Sequence, residues 1–181
     1  MLNLFKDSAG ELKNLRSLVI MAMLCAVNVV TSYFSISLSP TLKIAFSYLS
    51  MSMIGFLFGP VSGAFCGILL DTVKFIVNPS GPYNPLWALI EANSGILFGL
   101  LLYKKEPTMI RCFVTKFIVS LIQNVILTPL ALTVTYRNSK GFIYYASARV
   151  VKNILLWPIE SLLMFLVLSR IAIYIKKRRS Y

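Results

Sequence analysis

The sequence predicts an all-α integral membrane bundle of six transmembrane helices with both termini cytoplasmic, and three observations carry that expectation. The 181 residues are 57% hydrophobic, with a mean hydropathy of +0.77. Only 13% are charged, against about 25% in an ordinary soluble domain. Six apolar runs, separated by Pro, Gly and charge, approach the ~20 residues that cross a hydrocarbon core. The chain reads as a single domain over 1–181, with a short cytoplasmic lead-in over 1–15 and a basic tail over 176–181.

The first run covers 17–34 and ends in the loop SISLSPTLK; the second, 44–58, is closed by Gly59-Pro60. The third, 62–77, stops at Asn78-Pro79, and the fourth, 85–103, at Lys104-Lys105. The fifth, 108–135, is long enough to tilt, and the sixth covers 146–175. Lys and Arg near span ends set the orientation. Lys6, Lys13, Arg16, Lys104, Lys105, Arg111 and the tail fall inside; Lys43, Arg137 and Lys140 fall outside. The leading MLNLFKDSAGELKNLR is too polar for a signal peptide and reads as a retained amphipathic segment. There is no convincing internal repeat, so a carrier that rocks about inverted halves is not supported.

Composition also excludes chemistries. The net charge of +12 would point to nucleic acid in a soluble protein, but here the basic residues sit where topology puts them. Cys25, Cys66 and Cys112 form neither a disulfide framework nor a metal-spaced set, and the chain has no His. A membrane protease or transferase would need a nucleophile with its base, or a metal cluster.

Polar residues inside apolar spans are costly, which directs attention to an enclosed site. On the third span Asp71 and Lys74 lie three apart, able either to pair with each other or to meet a ligand. On the fourth, Asn84, Trp87, Ala88, Glu91 and Gly95 form one stripe, with Glu91 about 9 Å below the outer end. The fifth carries Lys116, Ser120, Gln123 and Asn124; the sixth carries Arg149, Lys152, Asn153, Trp157 and Glu160. Such stripes converge in a bundle, as a pocket or as interhelical hydrogen-bonding glue. Depth places Lys116 with Glu160 as a structural pair nearer the inside. Arg149, Lys152 and Asn153 fall level with Asn84, Trp87 and Glu91. Two cations, a carboxylate, amides and aromatic rings at one level suit a flat, hydrogen-bonding, anionic molecule. Tyr83 and Trp87 serve equally well as interfacial anchors.

The outer hairpin NPSGPYNP, with Pro79, Gly81 and Tyr83, is stiffened by three Pro while Gly81 permits a tight turn, so it can gate a site or merely connect two spans. On the first span Ala22 and Ala26, four apart, allow another helix to approach closely.

Together, FLFGP-x-x-G-A over 56–64, the Asp-bearing span after it, the PSGPY-x-P hairpin over 79–85, the Ala22/Ala26 pair and the six-span layout resemble the substrate-binding S component of energy-coupling factor vitamin transporters, in its folate-specific branch. The resemblance covers essentially the whole chain. It implies a six-helix bundle in the bacterial plasma membrane that captures folate or a reduced folate at the extracellular side, beneath the loops after the first, third and fifth spans. It also implies no enzymatic activity, no cofactor, no bound metal and no nucleic acid. ATP-driven uptake would come from a transmembrane coupling subunit, docked on Ala22 and Ala26, and two ATPase subunits. Folate fits the pocket read from the residues, its glutamate tail against Arg149 and Lys152 and its pterin against acids, amides and rings. An S component for riboflavin or thiamine, or an autonomous carrier, are the alternatives.

Overall fold

A computed structural model describes residues 2–33, 35–37, 43–79, 83–136 and 142–179. In chain order they form α1 (Leu2–Glu11), α2 (Leu15–Tyr33), β1 (Ser35–Ser37), β2 (Lys43–Ala45), α3 (Ser47–Val77) and α4 (Pro85–Leu102). There follow α5 (Met109–Val119), a π-helical stretch (Ser120–Leu127), α6 (Thr128–Tyr136) and α7 (Phe142–Arg179). Among the described residues the regular structure is helical apart from one antiparallel pair, β1 with β2, between α2 and α3; its register sets Ile36 opposite Ile44. Among the described residues, five helical rods are long and apolar enough to cross a membrane: α2, α3, α4, the continuous rod from α5 through α6, and part of α7. Large apolar side chains such as Val19, Met23, Leu89, Ile110, Ile154 and Leu155 face outward. In water that surface would be a liability; in lipid it is the expected exterior.

The longest of the central rods is not straight. Gly59, at φ 84 and ψ −170, breaks α3 into arms 47–58 and 60–77. Ser47 and Lys74 would stand about 40 Å apart on an unbroken helix, yet both line the same cavity. The chain therefore bends back at Gly59, where a positive φ favours glycine and a Cβ would lie 2.8 Å from the Ser8 side chain. Pro60, which lacks an N–H, opens the second arm at no hydrogen-bonding cost.

Ser8 of α1 closes this break from fifty residues away. Its Oγ donates to the Phe58 carbonyl (2.6 Å) and accepts from the Val61 and Ser62 N–H groups (3.0 and 3.2 Å). Ser62 Oγ donates in return to the Ser8 carbonyl at 2.9 Å. One buried hydroxyl thus satisfies orphan groups at the end of one arm and the start of the other. The lead-in is held further by Asp7, which pairs with Lys104 at 2.5 Å and holds that ammonium above its usual pKa.

The second arm of α3 and α4 pack backbone to backbone. A Cβ at Gly63 would lie 2.5 Å from the Gly95 carbonyl oxygen, and one at Gly95 only 2.1 Å from the Gly63 oxygen. Glycine at these positions removes the side chains that would otherwise hold the helices apart. That close approach sets the distance between polar groups further along both helices.

Candidate ligand-binding site

Six helical segments surround a largely polar cavity of about 230 Å³. The first span, α2, contributes Asn28, and the first arm of α3 contributes Ser47, Tyr48 and Met51. Lys74 comes from the second arm, and Glu91, Ser94 and Phe98 from α4. The α5 rod supplies Lys116, Val119, Ser120, Gln123 and Asn124; α7 supplies Arg149, Lys152, Asn153 and Glu160. Arg149 and Glu160 are separated by about 16 Å of helix. The cavity is accordingly elongated along α7.

One end is tightly held. Lys116 Nζ lies 3.0 Å from Glu160 Oε2, with the two side chains 6% and 12% exposed. The same ammonium sits 3.7 Å from the Tyr48 ring centroid, and Tyr48 OH donates to the Glu160 carbonyl at 3.1 Å. These contacts join α5, α7 and the first arm of α3. A second ion pair, Lys74 with Glu91, is longer at 3.6 Å and more exposed, at 24% and 30%. On the opposite wall Asn124 Nδ2 donates to Asn153 Oδ1 (3.3 Å), whose Nδ2 donates to the Arg149 carbonyl (2.8 Å). Ser120, Gln123 and Asn124 all belong to the π-helical stretch, a distortion that recurs at functional sites. Thr128 Oγ1 supports it by donating to the Gln123 carbonyl at 2.6 Å, just before Pro129, which has no N–H to give.

Lys74, Lys116, Arg149 and Lys152 face Glu91 and Glu160, which leaves an excess of two positive charges in the cavity lining. Inside a membrane those charges are weakly screened, so the arrangement favours an anion. The buried pair makes a separate prediction. Lys116→Met strands the Glu160 carboxylate and is expected to cost about 3–5 kcal/mol, whereas Lys116→Met with Glu160→Met recovers most of it. Thermal melting in detergent reads both; a double variant as unstable as the single one would contradict the pairing.

Of the residues singled out from sequence, Lys74, Glu91, Gln123, Asn124, Arg149, Lys152 and Asn153 meet in this cavity. Lys74 makes its ion pair with Glu91 rather than with Asp71, because the glycine seam brings α4 close to α3. Tyr83 packs edge-to-face on Phe75 at 5.1 Å. Asn84 caps α4: its Oδ1 accepts from Leu86 N–H at 3.0 Å and its Nδ2 donates to Thr135 Oγ1 at 2.7 Å. Trp87, half-buried, and Pro79, exposed, are not in the cavity lining, and neither are Asp71, Tyr83 and Asn84. Gly81 lies outside the described residues. Ala22 and Ala26 line a separate apolar groove between α2 and the second arm of α3, with Leu18, Val29, Phe65 and Leu69.

The expected Lys116–Glu160 pair is present, but it closes the same cavity as Arg149 rather than a separate inner layer. Depth along a helix places Cα atoms, and a lysine stem carries its charge well beyond them. Sequence reasoning did not single out Asn28, Ser47, Tyr48 or Met51. The one available signal was the spacing of Ser47, Tyr48 and Met51 on one helical face.

The family model for the substrate-specific component of ECF transporters matches residues 16–168. A folate transporter FolT from Clostridium novyi is 21% identical over 154 residues, 85% of this chain and 88% of the relative. The FolT of Leuconostoc mesenteroides is 26% identical over 159 residues, 85% of each chain. A crystal structure of FolT bound with folic acid aligns with a TM-score of 0.76 at 29% identity, covering 87% of this chain and 95% of that one. The match spans the bundle and every helix that lines the cavity, and the chain therefore belongs to the family of ECF transporter substrate-specific components, which are transport proteins and not enzymes.

Proposed function

We propose that the protein is a folate-binding S component, which captures folate from outside the cell for ATP-driven uptake by a coupling subunit and two ATPases. The observation that carries this reading is an elongated cavity with an excess of two positive charges, inside a fold whose folate-bound relative aligns over 87% of the chain. Folate matches that shape and charge: an amino-pterin ring, an apolar aminobenzoyl linker, and a glutamate tail with two carboxylates. Arg149 and Lys152 hold the tail, Asn124 and Asn153 fix the wall beside it, and Glu91 and Gln123 face the ring. Pockets for ligands of this size usually hold about 300–1,000 Å³, so the cavity has to widen on binding. The looser Lys74–Glu91 pair is the place where it opens, with Asp71, Pro79, Tyr83, Asn84 and Trp87 at the entrance. No cofactor takes part.

Counting the arms of α3 separately, this reading has six passes of the bacterial plasma membrane and both termini in the cytoplasm. The apolar groove at Ala22 and Ala26 then faces the coupling subunit. Proteoliposomes test the scheme: folate uptake should require ATP, the coupling subunit and both ATPases. Ala22→Leu with Ala26→Leu should keep folate binding but reduce uptake by about 5- to 150-fold, since an overpacked contact costs about 1–3 kcal/mol. Uptake by the chain alone would point to an autonomous carrier, and uptake of riboflavin or thiamine in place of folate to another vitamin.

A further inference from the structure

Asn28 on α2 is 2% exposed and lines the cavity. Its Nδ2 donates to the Ser47 carbonyl at 2.7 Å. A carbonyl oxygen only accepts, so this bond fixes the amide's orientation and leaves Oδ1 on the other side. Among the described residues, that buried Oδ1 has no hydrogen-bond partner. It differs in this from Asn153 in the same cavity, whose Oδ1 accepts from Asn124 and whose Nδ2 donates to the Arg149 carbonyl. A buried acceptor left without a donor is among the more costly features a fold can retain, and one that borders a cavity has its missing partner on the cavity side.

We infer that Asn28 is a specificity-determining residue whose Oδ1 accepts an N–H from the bound ligand. Two features select which part of the ligand this is. A carboxylate has no hydrogen to give an amide oxygen, so the anionic tail is excluded. Met51 and Phe98 line the same cavity with apolar surface suited to a flat ring. On the folate reading, on which this inference rests, the donor is the 2-amino group on the edge of the pterin. Through the Ser47 bond the same side chain ties the ligand to α2 and to the first arm of α3 together.

The test compares folate with 2-desamino-2-methylfolate, which replaces the amino group by a methyl of similar size, as ligands of the purified full chain in detergent. Wild-type protein should bind the analogue about tenfold or more weakly. In Asn28→Leu, which fills the same space without an acceptor, that ratio should fall close to one. Asn28→Ala, which removes atoms and adds none, gives the same comparison if leucine is not accommodated. Equal wild-type affinities, or a ratio unchanged in the variants, would overturn the assignment of Asn28 alone. Failure of the wild-type protein to bind either compound would instead overturn the folate reading, and this inference with it.

Discussion

Replacing Arg149 and Lys152 together by alanine is expected to weaken folate binding by at least about 100-fold. Hydrogen bonds to charged groups contribute about 1.5–3 kcal/mol each, and the loss of both cations also leaves Lys74 and Lys116 balanced by Glu91 and Glu160. The remaining lining then carries no excess charge to attract a dianion. The fold should survive, because Asn153 holds the backbone carbonyl of Arg149 and not its side chain. A binding titration alongside a melting curve separates the two effects. Unchanged affinity in a folded double variant would remove these residues from the site.

The largest structural effect is expected from Gly95→Leu. Its Cβ would lie 2.1 Å from the Gly63 carbonyl oxygen, an atom of helical backbone that has no rotamer through which to move aside. Overpacking that side chains can absorb costs about 1–3 kcal/mol; here α4 must shift bodily from the second arm of α3. The shift should also part Lys74 from Glu91, so folate binding and thermal stability fall together. Gly10→Ala serves as the control, because nothing lies within 4 Å of a Cβ there. A Gly95→Leu protein with ordinary melting and binding would contradict the packing described.

Much of this was legible in the sequence because a bilayer tolerates few alternatives. The run expected over 17–34 is α2 (Leu15–Tyr33), that over 85–103 is α4 (Pro85–Leu102), and Gly59-Pro60 does interrupt the chain between two helical arms. Charges in lipid-type segments must face inward, which is why Lys74, Glu91, Arg149 and Lys152 were found together. What sequence did not disclose depends on contacts distant along the chain. Lys74 meets Glu91 instead of Asp71 only because glycines let α3 and α4 touch. Ser8 caps an arm fifty residues later, and nothing near Ser8 in sequence points to that end of helix. Asn28 and Tyr48 are uncharged, and each would be unremarkable in an apolar helix wherever it pointed. The π-helical stretch carries ordinary helix-forming residues, and only its hydrogen bonding distinguishes it.

The central claim is that the cavity between α3, α4, the α5 rod and α7 takes folate. Equilibrium binding of folate to the purified chain, with no coupling subunit or ATPase present, tests it most directly. Saturable, equimolar binding that excess riboflavin and thiamine do not displace is the predicted result. Absence of folate binding by a folded preparation, or displacement of folate by either of those vitamins, would contradict it.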